Sequence, residues 1–258
     1  MMIRQIRNKC FGKWNPIDSK LSTMIAGHPS HAFLNNPPIS NVYQYLVDFV
    51  SKGSCALLDK EPQSLTVLDW GTGKGQVTYL LKKFGLLNTI SCDIEEERHD
   101  STFGQDHPII DKANIKVDPL KHPWVLPYED HSFDVVVSFG VLEHVPNDLE
   151  SMKEINRVLK KDGLFFCFHL PRKAGLLHWL ARSGGDDYHD RLYDKKVVKG
   201  LIEKSNFELL DVWNRSILPK NRFDFKFNQM AERLDLFAVK YTPLNFISTN
   251  VEFVARKK

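Results

Sequence analysis

The 258-residue chain has no run approaching the roughly 20 consecutive apolar residues of a bilayer-spanning helix, so no membrane span is expected. Its N-terminus lacks the apolar core of about 7–15 residues that marks a secretory signal. Cysteine is scarce, with four residues at 10, 55, 92 and 167. None are spaced as a CxxC pair and four make no disulfide framework, so reduced thiols in a cytoplasmic protein are expected. Charge of one sign is also wanting: 35 Lys and Arg stand against 32 Asp and Glu, a net +3. A nucleic-acid-coating surface shows stronger basic clustering, so no nucleic-acid partner is expected. There is no phosphate-binding GxxxxGK[ST] run, internal repeat or low-complexity tract. Asp186, Asp187 and His189 read as a solvated loop rather than metal ligands, so the expected metal set is none.

What remains is ordinary globular composition, 42% apolar and 26% charged. A chain of this length buries enough surface to fold without disulfides or metal. Residues 1–40 are expected to be irregular, because Pro16, Pro29, Pro37 and Pro38 interrupt them. Met1 to Lys20 is a basic tail, with Arg4, Arg7, Lys9, Lys13 and Lys20 against Asp18. Val42, Tyr45, Leu46, Phe49 and Val50 then recur at helical spacing, behind Ser40 or Asn41 as N-cap, in a helix running to about Leu58.

Beyond Pro62 the period alternates. Strands are expected at Ser64–Asp69, Asn88–Asp93, Ile115–Asp118, Phe133–Ser138, Leu164–Leu170, Phe207–Trp213 and Val251–Ala255. Helices are expected at Val77–Phe84, Leu149–Lys160 and Lys195–Ser205. Strands alternating with helices mean βαβ units: an α/β, doubly wound, mostly parallel seven-stranded sheet, with ligands at the C-terminal ends of the strands. The domain boundary is expected after residue 62, with 1–62 as a substrate cover and 63–258 as the ligand-binding domain. Residues 171–194 and 215–248 fit no layer and read as insertions covering the site.

The sharpest signal is Asp69-Trp70-Gly71-Thr72-Gly73-Lys74-Gly75, between an expected strand and an expected helix. Glycine allows a tight turn and close backbone approach to a ligand. Asp93 follows Gly71 by 22 residues at the end of the next strand, where a carboxylate accepts both hydroxyls of a ribose. Gln76 occupies the position where a dinucleotide loop has its last glycine, and Asp69 would repel a pyrophosphate. The loop suits a nucleoside cofactor bearing positive charge and no phosphate, such as S-adenosylmethionine, or a loop braced by its own carboxylate.

Over roughly 65–170 the chain resembles the class I S-adenosylmethionine-dependent methyltransferases, most closely the type 11 subfamily. The resemblance rests on the glycine loop, the run Leu126-Pro127-Tyr128-Glu129-Asp130-His131-Ser132-Phe133-Asp134-Val135-Val136, then Val141-Leu142-Glu143-His144-Val145, and Glu154-Ile155-Asn156-Arg157-Val158-Leu159-Lys160-Lys161-Asp162-Gly163. It departs in Tyr128 and in Lys161-Asp162. The resemblance implies that Asp69, Gly71, Thr72, Gly73 and Gly75 hold the methionine part and Asp93 the ribose. It further implies that Ile94 flanks the adenine, Asp118 meets the adenine amino group and Ser138 faces the methionine part through its backbone. The stretch from Asp118 to Pro127 is longer than the family's, with Lys121-His122-Pro123-Trp124 inserted.

For chemistry, a hydroxyl nucleophile benefits from a base of near-neutral pKa. His144 follows the fourth strand and His169 closes the fifth, so both are candidate catalytic residues. Tyr188, His189 and Tyr193 are candidate substrate contacts in the first insertion, where rings and polar groups suit a sugar or phenol. Asn36-Pro37-Pro38 looks like an amino-methylation motif, but Ile39 follows where an aromatic residue would be needed. The expected activity is methyl transfer to a small molecule or glycan precursor, at oxygen. The rivals are an RNA or protein methyltransferase and a cofactor-binding protein without chemistry. Oligomeric state is not legible.

Overall fold

The computed structural model describes residues 2–11, 13–94, 106–173, 175, 191–218 and 228–258. Among them seven strands form one sheet in the order β3-β2-β1-β4-β5-β7-β6. The chain forms two compact units, the first holding β1 to β3 and the second β4 to β7.

In the first unit β1 (Thr66–Trp70), β2 (Asn88–Ile94) and β3 (Val117–Leu120) pair in parallel. Val67 to Trp70 are all buried, as a strand covered on both faces requires. The expected irregularity of residues 1–40 is overturned. Helix α1 spans Met2–Phe11, α2 Ser19–Ile25, a 3-10 turn Pro29–Asn35 and α3 Pro37–Leu58. The prolines open elements instead of breaking them: Pro29, Pro37 and Pro38 sit in first turns, where a missing N–H loses no hydrogen bond. The N-cap of α3 is Asn36, whose Oδ1 accepts from Ile39 N at 3.2 Å, rather than Ser40 or Asn41. The Asn-Pro-Pro run is thus a helix start. Leu21, Met24, Ile25 and Leu34 join Ile109, Ile110 and Ile115 in one apolar cluster. Ile109 and Ile110 lie in the short α5 (Pro108–Lys112), which follows α4 (Gln76–Lys83) in the chain, and Ile115 comes just after it.

The second unit begins with β4 (Phe133–Phe139), α6 (Asp148–Val158) and β5 (Leu159–Pro171), and continues through α7 (Lys195–Lys204), β6 (Phe207–Arg215), α8 (Asn228–Tyr241), a 3-10 turn at Pro243–Ile247 and β7 (Asn250–Lys257). β4 and β5 are parallel, and β7 runs antiparallel between β5 and β6. β5 starts five residues earlier than its pattern suggested, because Asp162 takes φ 62° and Gly163 admits a tight approach. A Cβ on Gly163 would stand 2.8 Å from the Lys160 carbonyl. The stretch 215–248 is not irregular throughout, since it contains α8.

The motifs carrying the family resemblance are bound to one another. Arg157 donates to Glu154 at 2.7 Å, to Asp130 at 2.7 Å and to the Tyr128 carbonyl at 2.8 Å. Lys160 pairs with buried Asp134 at 2.8 Å. Across the far strands Glu252, fully buried, accepts from Arg215 Nε at 2.6 Å and Trp213 Nε1 at 2.8 Å. Removing one partner of such a pair strands a charge, so Arg215→Met is expected to lose about 3–5 kcal/mol in urea unfolding. Pairing it with Glu252→Met is expected to recover most of that loss.

Candidate functional site

The turn from β1 into α4 is built around a buried carboxylate. Asp69 is 1% exposed, and its Oδ2 accepts from Thr72 Oγ1 at 2.9 Å and Thr78 Oγ1 at 2.6 Å. Thr78 reaches on to Ser91 Oγ of β2 at 2.7 Å. Burial pushes the Asp69 carboxyl up to about 6, the two threonine hydroxyls holding it back and the Asp93 charge adding to the rise. The loop is therefore braced by its own carboxylate. Gly71 N and Thr72 N donate to the Cys92 carbonyl at 2.9 and 3.1 Å. Gly73 N donates to Asp93 Oδ2 at 2.6 Å, and Ile94 N to Asp93 Oδ1 at 2.8 Å.

The glycines divide the work. Gly71, Gly73 and Gly75 all have positive φ. At Gly75 an added Cβ would stand 2.7 Å from Ile110 Cγ1, whereas at Gly73 it would meet nothing within 4 Å. Gly75 serves packing at the start of α4, and Gly73 lies open, as a ligand-facing backbone must. Asp93 is 8% exposed, and its two oxygens hold the backbone of Gly73 and of Ile94. Asp118 lies within β3 opposite Cys92 and pairs with exposed Lys116 at 3.2 Å. Beside the loop, Lys74 donates to the Ser30 carbonyl and sits 5.6 Å from the Phe33 ring centroid. The 3-10 turn at 29–35 thereby touches the glycine loop, a contact that nothing in the periodicity of residues 1–40 announced.

In the second unit, Ser138 is fully buried near the end of β4, opposite Cys167. The segment after β4 carries Glu143 and His144. The His144 side chain is 38% exposed, with Nε2 3.9 Å from Glu143 Oε1. Glu143 is 2% exposed, and burial pushes its carboxyl up to about 8, which leaves it mostly protonated at neutral pH. His169 sits at a break in the β5–β7 register with φ 66°, its ring 5.6 Å from that of Phe139. Gly140 (φ 70°) lies beside both: a Cβ there would stand at ordinary contact distance, 3.5 Å from Glu143 Oε1 and 3.8 Å from His169 Cβ. The structure thus brings together His169 and the Glu143–His144 pair. Glu143 was passed over in the sequence as part of a motif; a glutamate inside an otherwise apolar Val-Leu-x-x-Val run was its available signal.

Tyr193 does not reach out as a substrate contact. It is 1% exposed, and its hydroxyl donates to the Leu142 carbonyl at 3.0 Å, pinning the segment after β4. Tyr188 and His189 lie outside the described residues.

Residues 68–167 match the type 11 methyltransferase domain family. This part of the chain is a class I S-adenosylmethionine-dependent methyltransferase domain. A sarcosine/dimethylglycine N-methyltransferase of Aphanothece halophytica is 28% identical over 141 residues, 54% of this chain and 50% of that protein. The chain thus aligns with about half the length of that relative. A demethylmenaquinone methyltransferase of Staphylococcus haemolyticus is 54% identical over 43 residues, 16% of this chain and 18% of its own. A solved S-adenosylmethionine-dependent methyltransferase of Thermotoga maritima shares the fold with TM-score 0.58 at 16% identity, over 93% of this chain and 99% of that one.

The methyltransferase domain's cofactor is S-adenosylmethionine, and the residues at β1 and β2 fit it. The open Gly73 backbone with the Asp93 carboxylate beside it suits a ribose-bearing ligand. Asp69 acts through the loop it braces.

Two tests follow from this geometry. Gly75→Ala combines a left-handed φ with the Ile110 clash and is expected to cost about 1–3 kcal/mol in thermal unfolding, with Gly73→Ala costing less. Glu143 is an acid whose folded-state pKa is raised, so its contribution to stability is full below its free value of 4.5 and is lost as pH rises through about 8. Between pH 5 and pH 9 the protein is expected to lose on the order of 2–5 kcal/mol through this group. Urea unfolding of Glu143→Gln at both pH values should show a smaller loss.

Proposed function

We propose that the chain transfers the methyl group of S-adenosylmethionine to an oxygen of a small molecule or glycan precursor. The observation that carries the cofactor half of this reading is the Gly73–Asp93 bond, which sets an open glycine backbone beside a ribose-type carboxylate. Asp93 takes the ribose hydroxyls, Gly71 to Gly75 carry the methionine part and Ile94 flanks the adenine. Asp118 at the adenine amino group and Ser138 at the methionine part complete the assignment. When bound, the cofactor supplies an electrophilic methyl carbon on a sulfonium and leaves as a neutral thioether. The protein has to align the acceptor and exclude water.

His144 is the better placed of the two histidines to take a proton from an acceptor hydroxyl, because its side chain reaches solvent while His169 is half-buried in the β5 backbone break. Acceptor specificity falls to residues 1–62, 171–194 and 215–248, because the strands and their turns are occupied with the cofactor. The four thiols, none of them in a disulfide, suit a cytoplasmic protein. An amine acceptor is the second reading, favoured by the name of the Aphanothece relative.

Asp93→Ala removes an acceptor of two charge-assisted bonds and is expected to weaken S-adenosylmethionine binding at least about tenfold by calorimetry. Unchanged affinity would overturn the ribose assignment. Deuterated-methyl S-adenosylmethionine with hydroxyl and amine acceptors, read by mass spectrometry, separates oxygen from nitrogen transfer. No label on any acceptor, with cofactor still bound, favours the non-catalytic reading.

A further inference from the structure

Helix α8 is amphipathic in the reverse sense. Glu232 and Asp235 are 5% and 2% exposed, while Met230, Leu234, Phe237 and Tyr241 are 56–64% exposed. At 100° per residue those four side chains fall within about 60° of one another, on one stripe. The inward acids fix this rotation: Asp235 Oδ1 accepts from Ile217 N at 2.7 Å and Leu218 N at 3.0 Å. Turning the stripe inward would withdraw that carboxylate from both amides. The 3-10 turn that follows extends the apolar face with Leu244 and Phe246, 47% and 63% exposed. Arg172 holds this turn from beneath, donating to the Asn245 and Phe246 carbonyls at 2.9 and 3.2 Å.

The charges on this face are of one sign. Between residues 229 and 247 the acids are buried, and the exposed charged side chains are Arg233 and Lys240. They lie seven residues apart, on one flank of the stripe. Lys240 Nζ stands 4.9 Å from the Tyr241 ring centroid, which itself packs 5.2 Å from Phe237. An apolar stripe with aromatic residues and a cationic flank is the pattern of a helix lying in a bilayer interface. A second protein would need its own apolar face with matched acids. An anionic lipid surface offers both features everywhere, and no helix among the described residues is long and apolar enough to cross it.

We propose that α8 and the turn at 243–247 form a docking surface for the anionic lipid face of a membrane, the apolar side chains entering the headgroup region and Arg233 and Lys240 meeting lipid phosphates. The inference does not depend on the identity of the methyl acceptor. It would bring the enzyme to acceptors carried on lipid.

The test uses the full chain and vesicles of phosphatidylcholine with or without phosphatidylglycerol. Co-sedimentation with the anionic vesicles is expected, and Leu234→Glu with Phe237→Glu is expected to weaken it at least about tenfold, since each lost side chain removes a large apolar contact. Arg233→Glu with Lys240→Glu is expected to abolish the preference for phosphatidylglycerol. Phe237→Trp keeps the face apolar and reports insertion as a blue shift on adding vesicles, read as the difference from the wild-type chain with its five tryptophans. Failure of the wild-type chain to sediment with anionic vesicles, or a Phe237→Trp minus wild-type difference emission that vesicles leave unchanged, would overturn the proposal. So would a concentration-dependent dimer in light scattering that Leu234→Glu with Phe237→Glu dissociates, because the stripe would then be a contact between copies.

Discussion

A carboxylate with no route to water organises the cofactor end of the first unit. Asp69 ends inside the turn it belongs to, and the hydroxyls of Thr72 and Thr78 satisfy its Oδ2. A buried acid is tolerable only when it is hydrogen-bonded or protonated, and here the two threonine hydroxyls hold the carboxyl at about 6 against the rise that burial imposes. The two threonines therefore cannot move independently of β1, and the backbone between them is held in the left-handed turns that only glycine adopts cheaply. The same loop donates its amides to Cys92 and Asp93 at the end of β2. The ends of two strands and the start of a helix are thus fixed as one piece before any ligand arrives. That preorganisation lets a shallow set of contacts bind a cofactor without spending affinity on ordering a loop.

The second unit uses buried acids differently. Glu252 is matched by Arg215 and Trp213 and ties β6 to β7. Glu143 has no cation of comparable closeness among the described residues, and burial keeps it mostly protonated instead. Asp235 draws α8 into an orientation its apolar residues would not choose. In each case the desolvation of one carboxylate is offset by a fixed set of donors or by a proton, and that arrangement decides which neighbouring side chains are presented outward. The histidines owe their positions to the same logic: His144 adjoins Glu143 in sequence, and the His169 amide lies 3.4 Å from Glu252 Oε1.

The glycine loop was legible because its information is local. Three glycines and an aspartate between a strand and a helix force the turn whatever surrounds it, and Asp93 follows at the distance one βαβ crossover sets. The strands of the sheet were legible for a similar reason, since short β-branched runs such as Phe-Asp-Val-Val-Val-Ser bury on both faces. The helices before residue 37 were not, and neither was the start of α3. Prolines in residues 29–38 read as breakers, and only the chain direction of each element shows that they stand in first turns. Glu143 and Tyr193 were misjudged in opposite senses, the one overlooked inside a motif and the other taken as a surface ring. Whether a polar group is buried depends on neighbours distant in sequence.

By itself, then, the sequence determined the succession of strands, the βαβ alternation and the loop chemistry that suits a sulfonium nucleoside, because these follow from periodicity and from residues a few positions apart. Tertiary structure alone decided which glycine packs and which lies open, since Ile110 is 35 residues from Gly75 and its approach is invisible in the pattern. It alone decided that α8 turns its acids inward. Helical periodicity marks a stripe of Met230, Leu234, Phe237 and Tyr241 but not the direction it faces. That direction was set by two amides near residue 218, offering Asp235 a better environment than water.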